Sequence, residues 1–561
     1  MRYAIGVDLG GTNVKLTVVS ETGQVFDAPS LETRDVMGGD WAERVRAQVR
    51  AIEEGRGERA SWIGVATPGL PTPDRRRVGA LEGRLAGLVG LDWSELLQTT
   101  AVIHVLNDAQ AALVGEAWKG AAAGCRNAVL LTLGTGVGGA ILSEGRLVSG
   151  HVGRAGHVGH ISLDPDGDPP ATTPVPGALE THISNATLKK RSGGRFSDTR
   201  ELVAAHLAGD GDASGIWLRS VQRLACGIAS IINVVDPELV VLGGGIAQAG
   251  PALFEPLAGY LDKVEWRPFG ERVPVVPAQL GEGAGALGAA RAAIDSGPAA
   301  DYLAAARGLV SIIESQQPAI RQAAEWFAEA ILAGRMVHLF GSGHSRILVE
   351  EMWPRYGSFP GFNPIVELSL TFHNPVVGAN GQRQAMFLEN TSGLAERILR
   401  NFDLSPQDAA LVASSGGGSV VSVEMAEGFR RRGIKVVAIV SRAHAEASVS
   451  RHPRGLKLTD CADLVLDTGA PPGDALVRIP GLETPVAPGS TIGGGLLVNA
   501  IKAEVAARLT AAGQPPRVLT AAAVVGPAQS EALFEAAYDE HARRLARLYA
   551  TLGGDDKGGR A

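Results

Sequence analysis

Residues 3–19 read YAIGVDLGGTNVKLTVV, and residues 128–142 read AVLLTLGTGVGGAIL. Each is an apolar run of β-favouring residues, a glycine-rich turn and a second such run, which predicts a hairpin whose turn presents backbone N–H groups. Recurrence of this pattern about 125 residues further on predicts two lobes of related architecture with a cleft between them. Helical periodicity over 109–119 and 216–234, with a strand at 239–242, fills in the second lobe.

The glycine loops suit an anion. Glycine lets the backbone approach a phosphate closely, and phosphoryl transfer asks a protein mainly for donors around the phosphates, a magnesium ion and a base that orients the attacking hydroxyl. Asp8, Gly10, Gly11 and Thr12 form one such loop, in which Asp8 at a strand end is expected to hold Mg2+ through water. Gly134, Thr135 and Gly136 form a second, and Gly243, Gly244 and Gly245 offer a flat surface for a nucleotide. Asn107–Asp108 stands at a predicted strand end, where Asp108 also reads as the N-cap of the helix that follows.

These stretches, with Pro68–Gly69, GRAGHVGH (153–160), GALE (177–180) and AGALG (284–288), resemble the ROK family of bacterial sugar kinases and repressors over about the first 295 residues. The resemblance implies an actin-like, hexokinase-like two-lobed ATPase fold, with ATP and Mg2+ as cofactors. It implies Asp108 as the catalytic base and Asn107, His157, His160 and Glu180 as the sugar-binding residues. Two departures stand out. His157 occupies the place of the family's glutamate, which removes an acceptor for sugar hydroxyls. Residues 168–180 carry no cysteine, so no structural zinc with thiolate ligands is expected. The repressors' helix-turn-helix would precede the first loop, and Asp8 leaves no room for it.

A break at 295–300 (DSGPAA) opens a second half, read as a linker and leading helix over 297–334 and a domain over 335–550. Predicted strands at 336–340, 409–413, 436–440 and 463–466 alternate with helices, the pattern of a doubly wound parallel sheet. GSGHS (341–345) and SSGGGS (414–419) each follow a strand and open a helix, so Ser342, Gly343, His344, Ser345, Ser414, Ser415 and Ser419 are candidates for cradling a phosphate monoester. These loops, FNPIVE (362–367) and PPGDA (471–475) resemble the SIS (sugar isomerase) fold, in a branch distantly related to phosphoheptose isomerase. Two readings of this half stay open, an isomerase acting on the kinase's sugar phosphate and a non-catalytic sugar-phosphate sensor that regulates the kinase; isomerisation needs a carboxylate beside the phosphate site. Glu350 and Glu351, five and six residues beyond Ser345, are the catalytic candidates, and His344, His373 and His452 are candidate acids.

Bulk properties narrow the rest. A chain of 561 residues exceeds one hydrophobic core, and a net charge of −7 supplies no field to hold nucleic acid. Arg75–Arg77 and Arg430–Arg432 are short basic clusters, the latter a solvated helix face. No uninterrupted apolar run approaches the roughly 18 residues of a membrane span, and the N-terminus shows no leader, so a cytoplasmic homo-oligomer acting on a sugar and a sugar phosphate is expected. Three scattered cysteines form no disulfide framework. Residues 551–561 are expected to be a disordered tail.

Overall fold

The computed structural model describes residues 2–33, 40–81, 85, 87–170, 173–371, 381–479 and 481–549. The chain divides into two compact units, Met1–Gly297 and Pro298–Ala561.

The first unit holds two sheets built to one plan. In the first, Tyr3–Leu9 pairs antiparallel with Asn13–Ser20 and parallel with Trp62–Thr67, which in turn pairs parallel with Val102–Asn107. In the second, Ala128–Leu133 pairs antiparallel with Val137–Ser143 and parallel with Leu239–Gly243, and Val275–Pro277 extends the sheet. Each plan is a hairpin followed by parallel strands. The register sets the chemistry: Asp8 pairs with Ala66 and Thr67 with Asn107, so the carboxyl ends of three strands share one edge.

Two helices join the halves of this unit, Asp108–Lys119 and Ala284–Ile294. They cross so closely that a Cβ on Gly288 would lie 1.8 Å from the Ala111 carbonyl oxygen, so only glycine fits there. The helix Gly211–Val235 is long and apolar enough to cross a membrane by length and composition, which a search for an unbroken apolar run passes over. Leu224, Ile228 and Ile232, at helical spacing, pack into the core of the second lobe.

The second unit is built on a five-stranded sheet, with Val337–Gly341 flanked by Phe362–Pro364 and Ala409–Ala413, then Lys435–Val440 and Leu464–Asp467, all parallel. Alternate residues feed opposite cores: Leu339, Leu411 and Val437 face one, Phe340, Val412 and Val436 the other. Phe362–Pro364 is too short to announce itself in the sequence. The segment read as a linker and leading helix folds as two helices, Pro298–Glu314 and Gln317–Leu332, parted where Pro318 restarts the helix. The second buries Ile320, Phe327 and Ile331 in the core, and Gln316 exchanges two 2.8 Å hydrogen bonds with the Asp467 backbone, so this stretch is part of the unit. The expected tail lies outside the described residues.

Candidate functional site

In the first unit a cavity of about 610 Å3 runs from Asp8 and Asp108 to Gly243–Gly245. Asn107, not Asp108, is the N-cap of the helix: its Oδ1 accepts from the Ala109 N–H at 3.1 Å while its Nδ2 donates to the Gly69 carbonyl at 3.2 Å. Asp108 is thereby the first helical residue, its carboxylate reachable from the cleft. The protein packed around it raises its pKa above the usual carboxylate range, against the Ala109 N–H, His157 and Asn107. The Asp8 carboxyl is pushed up to about 7, first by burial and then by the Asp108 charge, while Lys15 opposes both. Lys15, which the sequence reading missed, lines the same cavity and pairs with Glu282 at 2.9 Å.

The glycine loops are shaped by their neighbours. Gly244 has φ +84, and a Cβ there would meet the Leu133 carbonyl at 2.4 Å. The 134–136 turn is pinned from behind, Asn185 and Ala186 donating to the Gly134 and Thr135 carbonyls at 2.9 and 3.1 Å, and Thr135 is left exposed. At the first hairpin, Thr33 Oγ1 donates to the Gly10 carbonyl at 2.6 Å, and Gly11 and Thr12 stay exposed. None of Gly10, Gly11, Thr12 or Gly134–Gly136 lines the cavity itself.

On the sugar side, Glu180 is buried and accepts from the Val137 N–H at 2.9 Å. His157 and His160 stand with ring centroids 6.0 Å apart, the His157 Nδ1 lying 3.0 Å from the Arg154 carbonyl. Burial lowers the His160 pKa, and Glu180 works against it. The cysteine-free segment is tied by its own backbone: Leu163 donates to Gly177, Leu179 to Ile161 and Gly177 to Asp168. Among the described residues no cluster of three His, Cys, Asp or Glu side chains is placed to hold a metal.

In the second unit the two serine loops meet in a cavity of about 230 Å3 lined by Ser342–Ser345, Ser414 and Ser415. The Ser415 hydroxyl is buried there without a partner, an orphan that a phosphate oxygen would satisfy. Sequence reasoning missed a third helix start, Ser490–Thr491, which Asp474 caps by accepting from the Gly489 and Ser490 N–H groups at 3.0 and 2.8 Å. It also missed Glu389. This carboxylate accepts from the Ser342 hydroxyl at 3.1 Å, and burial pushes its pKa up against Ser342 and Arg451. The Val421 N–H donates to its carbonyl at 2.9 Å, which fixes it against the helix that follows the second loop.

Other predicted residues are placed elsewhere. Glu350 pairs with Arg346 at 3.4 Å and lines a separate apolar cavity beside Trp353 and Ile365. Glu351 is held by Arg355 at 2.7 Å and Asn499 at 3.1 Å, 3.8 Å from Lys502 Nζ; these partners outweigh burial and lower its pKa. Neither glutamate lines the serine-lined cavity, because the helix Arg346–Met352 turns both away. Ser419 stands at the N-cap position of its helix, its hydroxyl donating to Ser422 Oγ at 2.9 Å, and lines an adjoining cavity that shares Glu389 and Ser414. His344 lines the serine-lined cavity, while His452 is buried near Glu427 in a different pocket; His373 lies outside the described residues.

With this geometry in hand, comparison with known proteins is informative. The ROK family profile matches residues 4–296 and the SIS domain profile residues 301–441. A glucokinase of Thermotoga maritima is 33% identical over 317 residues, covering 51% of this chain and 95% of that protein. A UPF0309 protein of Geobacillus kaustophilus is 30% identical over 238 residues, covering 42% of this chain and 88% of its own length. Among solved structures, a ROK family glucokinase from Streptomyces griseus in complex with glucose and AMPPNP is 26% identical, with 52% of this chain and 100% of that one covered and a TM-score of 0.44. The chain therefore belongs to the ROK family through residues 4–296, joined to a SIS domain that begins at residue 301.

Proposed function

We propose that the first unit is an ATP-dependent sugar kinase and that the second isomerises the sugar phosphate it makes. The observation that carries the first part is the meeting of Asp8 and Asp108 across one cavity from the Gly243–Gly245 surface. The raised Asp108 pKa suits a base: it accepts the proton of a sugar hydroxyl as that oxygen bonds to the γ-phosphorus and the bond to the β–γ bridging oxygen breaks, releasing ADP. Asn107, His157, His160 and Glu180 grip the remaining hydroxyls. The Gly10–Thr12 and Gly134–Gly136 turns, whose Gly10 and Gly134 N–H groups close the turns themselves, bind phosphate oxygens through their other N–H groups. Similarity to a glucokinase supports a hexose or hexosamine as acceptor.

The residues fit Mg2+. Two carboxylates face one cleft, and the nearest cation, Lys15, is already engaged by Glu282. Asp8 would hold the ion, which when bound neutralises charge on the phosphates.

In the second unit, Ser342, Ser345, Ser414 and Ser415 bind the phosphate. Glu389, in place of Glu350 and Glu351, moves the proton between adjacent carbons through an enediol, and its raised pKa suits that exchange. The kinase reading is tested by offering the full chain, ATP and Mg2+ a panel of glucose, mannose, N-acetylglucosamine and N-acetylmannosamine; sugar-dependent ADP release is expected, and none with any sugar refutes it.

A further inference from the structure

The three arginines of the short basic run Arg75–Arg77 are each engaged by the protein, Arg77 from an exposed position. Arg76 donates to the Ser94 hydroxyl at 2.9 Å and Arg77 pairs with Asp92 at 2.8 Å, while Arg75 turns inward. Its backbone takes φ +57, unusual for a residue with a side chain, and is fastened there: its carbonyl accepts from the Val105 N–H at 2.7 Å and its N–H donates to Thr72 at 2.9 Å. That strain aims the guanidinium between two other segments. Nη1 donates to Gln110 Oε1 at 3.0 Å, and Nη2 donates to the Ser149 hydroxyl.

The setting gives these contacts a purpose. Gln110 is 1% exposed and lies two residues beyond Asp108 on the same helix. Ser149 opens the loop that carries His157 and His160, and that loop runs against the hairpin that carries Arg75, since a Cβ on Gly153 would lie 3.6 Å from the Pro71 carbonyl. Among the described residues no carboxylate pairs with Arg75; burial alone lowers its pKa. A half-buried cation held by neutral acceptors is a poor way to add stability. A rigid fork with donors in fixed directions is a good way to hold two loops at a set spacing.

We propose that Arg75 is a positioning residue for the acceptor site, latching the 148–160 loop to the helix that bears Asp108 so that the sugar's hydroxyl and the base stay in register. The proposal rests on the kinase reading for its catalytic consequence, but the latch is observable without it. Ser149→Ala removes one acceptor and leaves the core intact; Arg75→Lys keeps the charge and loses the fork. In the full chain, both variants should speed hydrogen exchange in residues 148–160 while leaving the Ala128–Leu133 and Leu239–Gly243 strands unchanged. With the sugar of highest kcat/KM in the panel above, each should raise the sugar KM about tenfold, as expected for one lost hydrogen bond to a charged group, and the ATP KM less than about twofold. Arg75→Lys with the additional change Ser149→Asp, which offers the ammonium an anionic acceptor, should recover most of the sugar KM. Unchanged exchange in 148–160 overturns the latch whether or not any sugar is phosphorylated. Equal rises in both KM values, with a lowered melting temperature, would reduce Arg75 to a structural residue.

Discussion

Asp108 shows how two demands converge on one position. Asn107 stands at the N-cap, and the Asp108 carboxylate faces the cleft while accepting from the Ala109 N–H at 2.7 Å; the protein packed around it raises its basicity. Asp108→Asn is expected to leave ATP affinity intact and to lower kcat by about 10^2–10^4, the usual worth of a general base, read as sugar-dependent ADP release beside a nucleotide titration. Asp8 carries a cost of its own. Its folded pKa of about 7 exceeds the ordinary 3.8, so the folded state holds that proton more tightly, and stability falls as pH rises from about 4 through 7. Asp8→Asn should therefore raise the melting temperature at pH 8, leave it unchanged at pH 4 and abolish transfer; equal melting shifts at both pH values would contradict this. The strand-end acids and glycine loops were legible because strand, turn and chemistry fall within a few contiguous residues. Glu389 was not, since a carboxylate 47 residues beyond its Ser342 partner leaves no spacing to read. Helical periodicity does not say that neither Glu350 nor Glu351 lines the serine-lined cavity.

Among elements, the helix Pro527–Tyr549 carries a pH-sensitive attachment. His541 is 4% exposed, both ring nitrogens lack partners, and the ring meets Trp353 edge-on at 4.9 Å. Burial, reinforced by Arg544, lowers its pKa below the ordinary 6.5. The folded state thus binds this proton less tightly than the unfolded chain, and stability drains away as pH falls through 6.5. His541→Phe keeps the aromatic contact and removes the titration, so the gap between melting temperatures at pH 7.5 and 5.5 should shrink; an unchanged gap would place the acid sensitivity elsewhere. A contrasting buried histidine, His338, has a polar atom beside each ring nitrogen: Asn363 Nδ2 lies 3.0 Å from its Nδ1 and an Asp408 carboxylate oxygen 3.2 Å from its Nε2. Burial disfavours the Asp408 charge, yet His338 and Arg335 outweigh it and hold its carboxyl down at about 2. In the leading segment a continuous helical pattern over 302–333 hides the restart at Pro318, and the bonds from Gln316 to Asp467, with Ile320, Phe327 and Ile331 in the core, tie the helices to the second unit.

For the whole molecule, the proposed function makes the product of the kinase unit the ligand class of the serine-lined cavity in the second unit. That claim stands or falls on a single reaction in D2O containing the full chain, ATP, Mg2+ and the preferred sugar, followed by NMR of the sugar phosphate. The wild type is expected to form sugar phosphate and to place deuterium on the carbon next to the carbonyl. Asp108→Asn should form none, and Glu389→Gln should accumulate unlabelled sugar phosphate at the wild-type rate, while Glu350→Gln and Glu351→Gln label it normally. Sugar phosphate that forms but never exchanges in the wild type would contradict an isomerase and leave the second unit a sensor; labelling that survives Glu389→Gln would remove Glu389 from the chemistry.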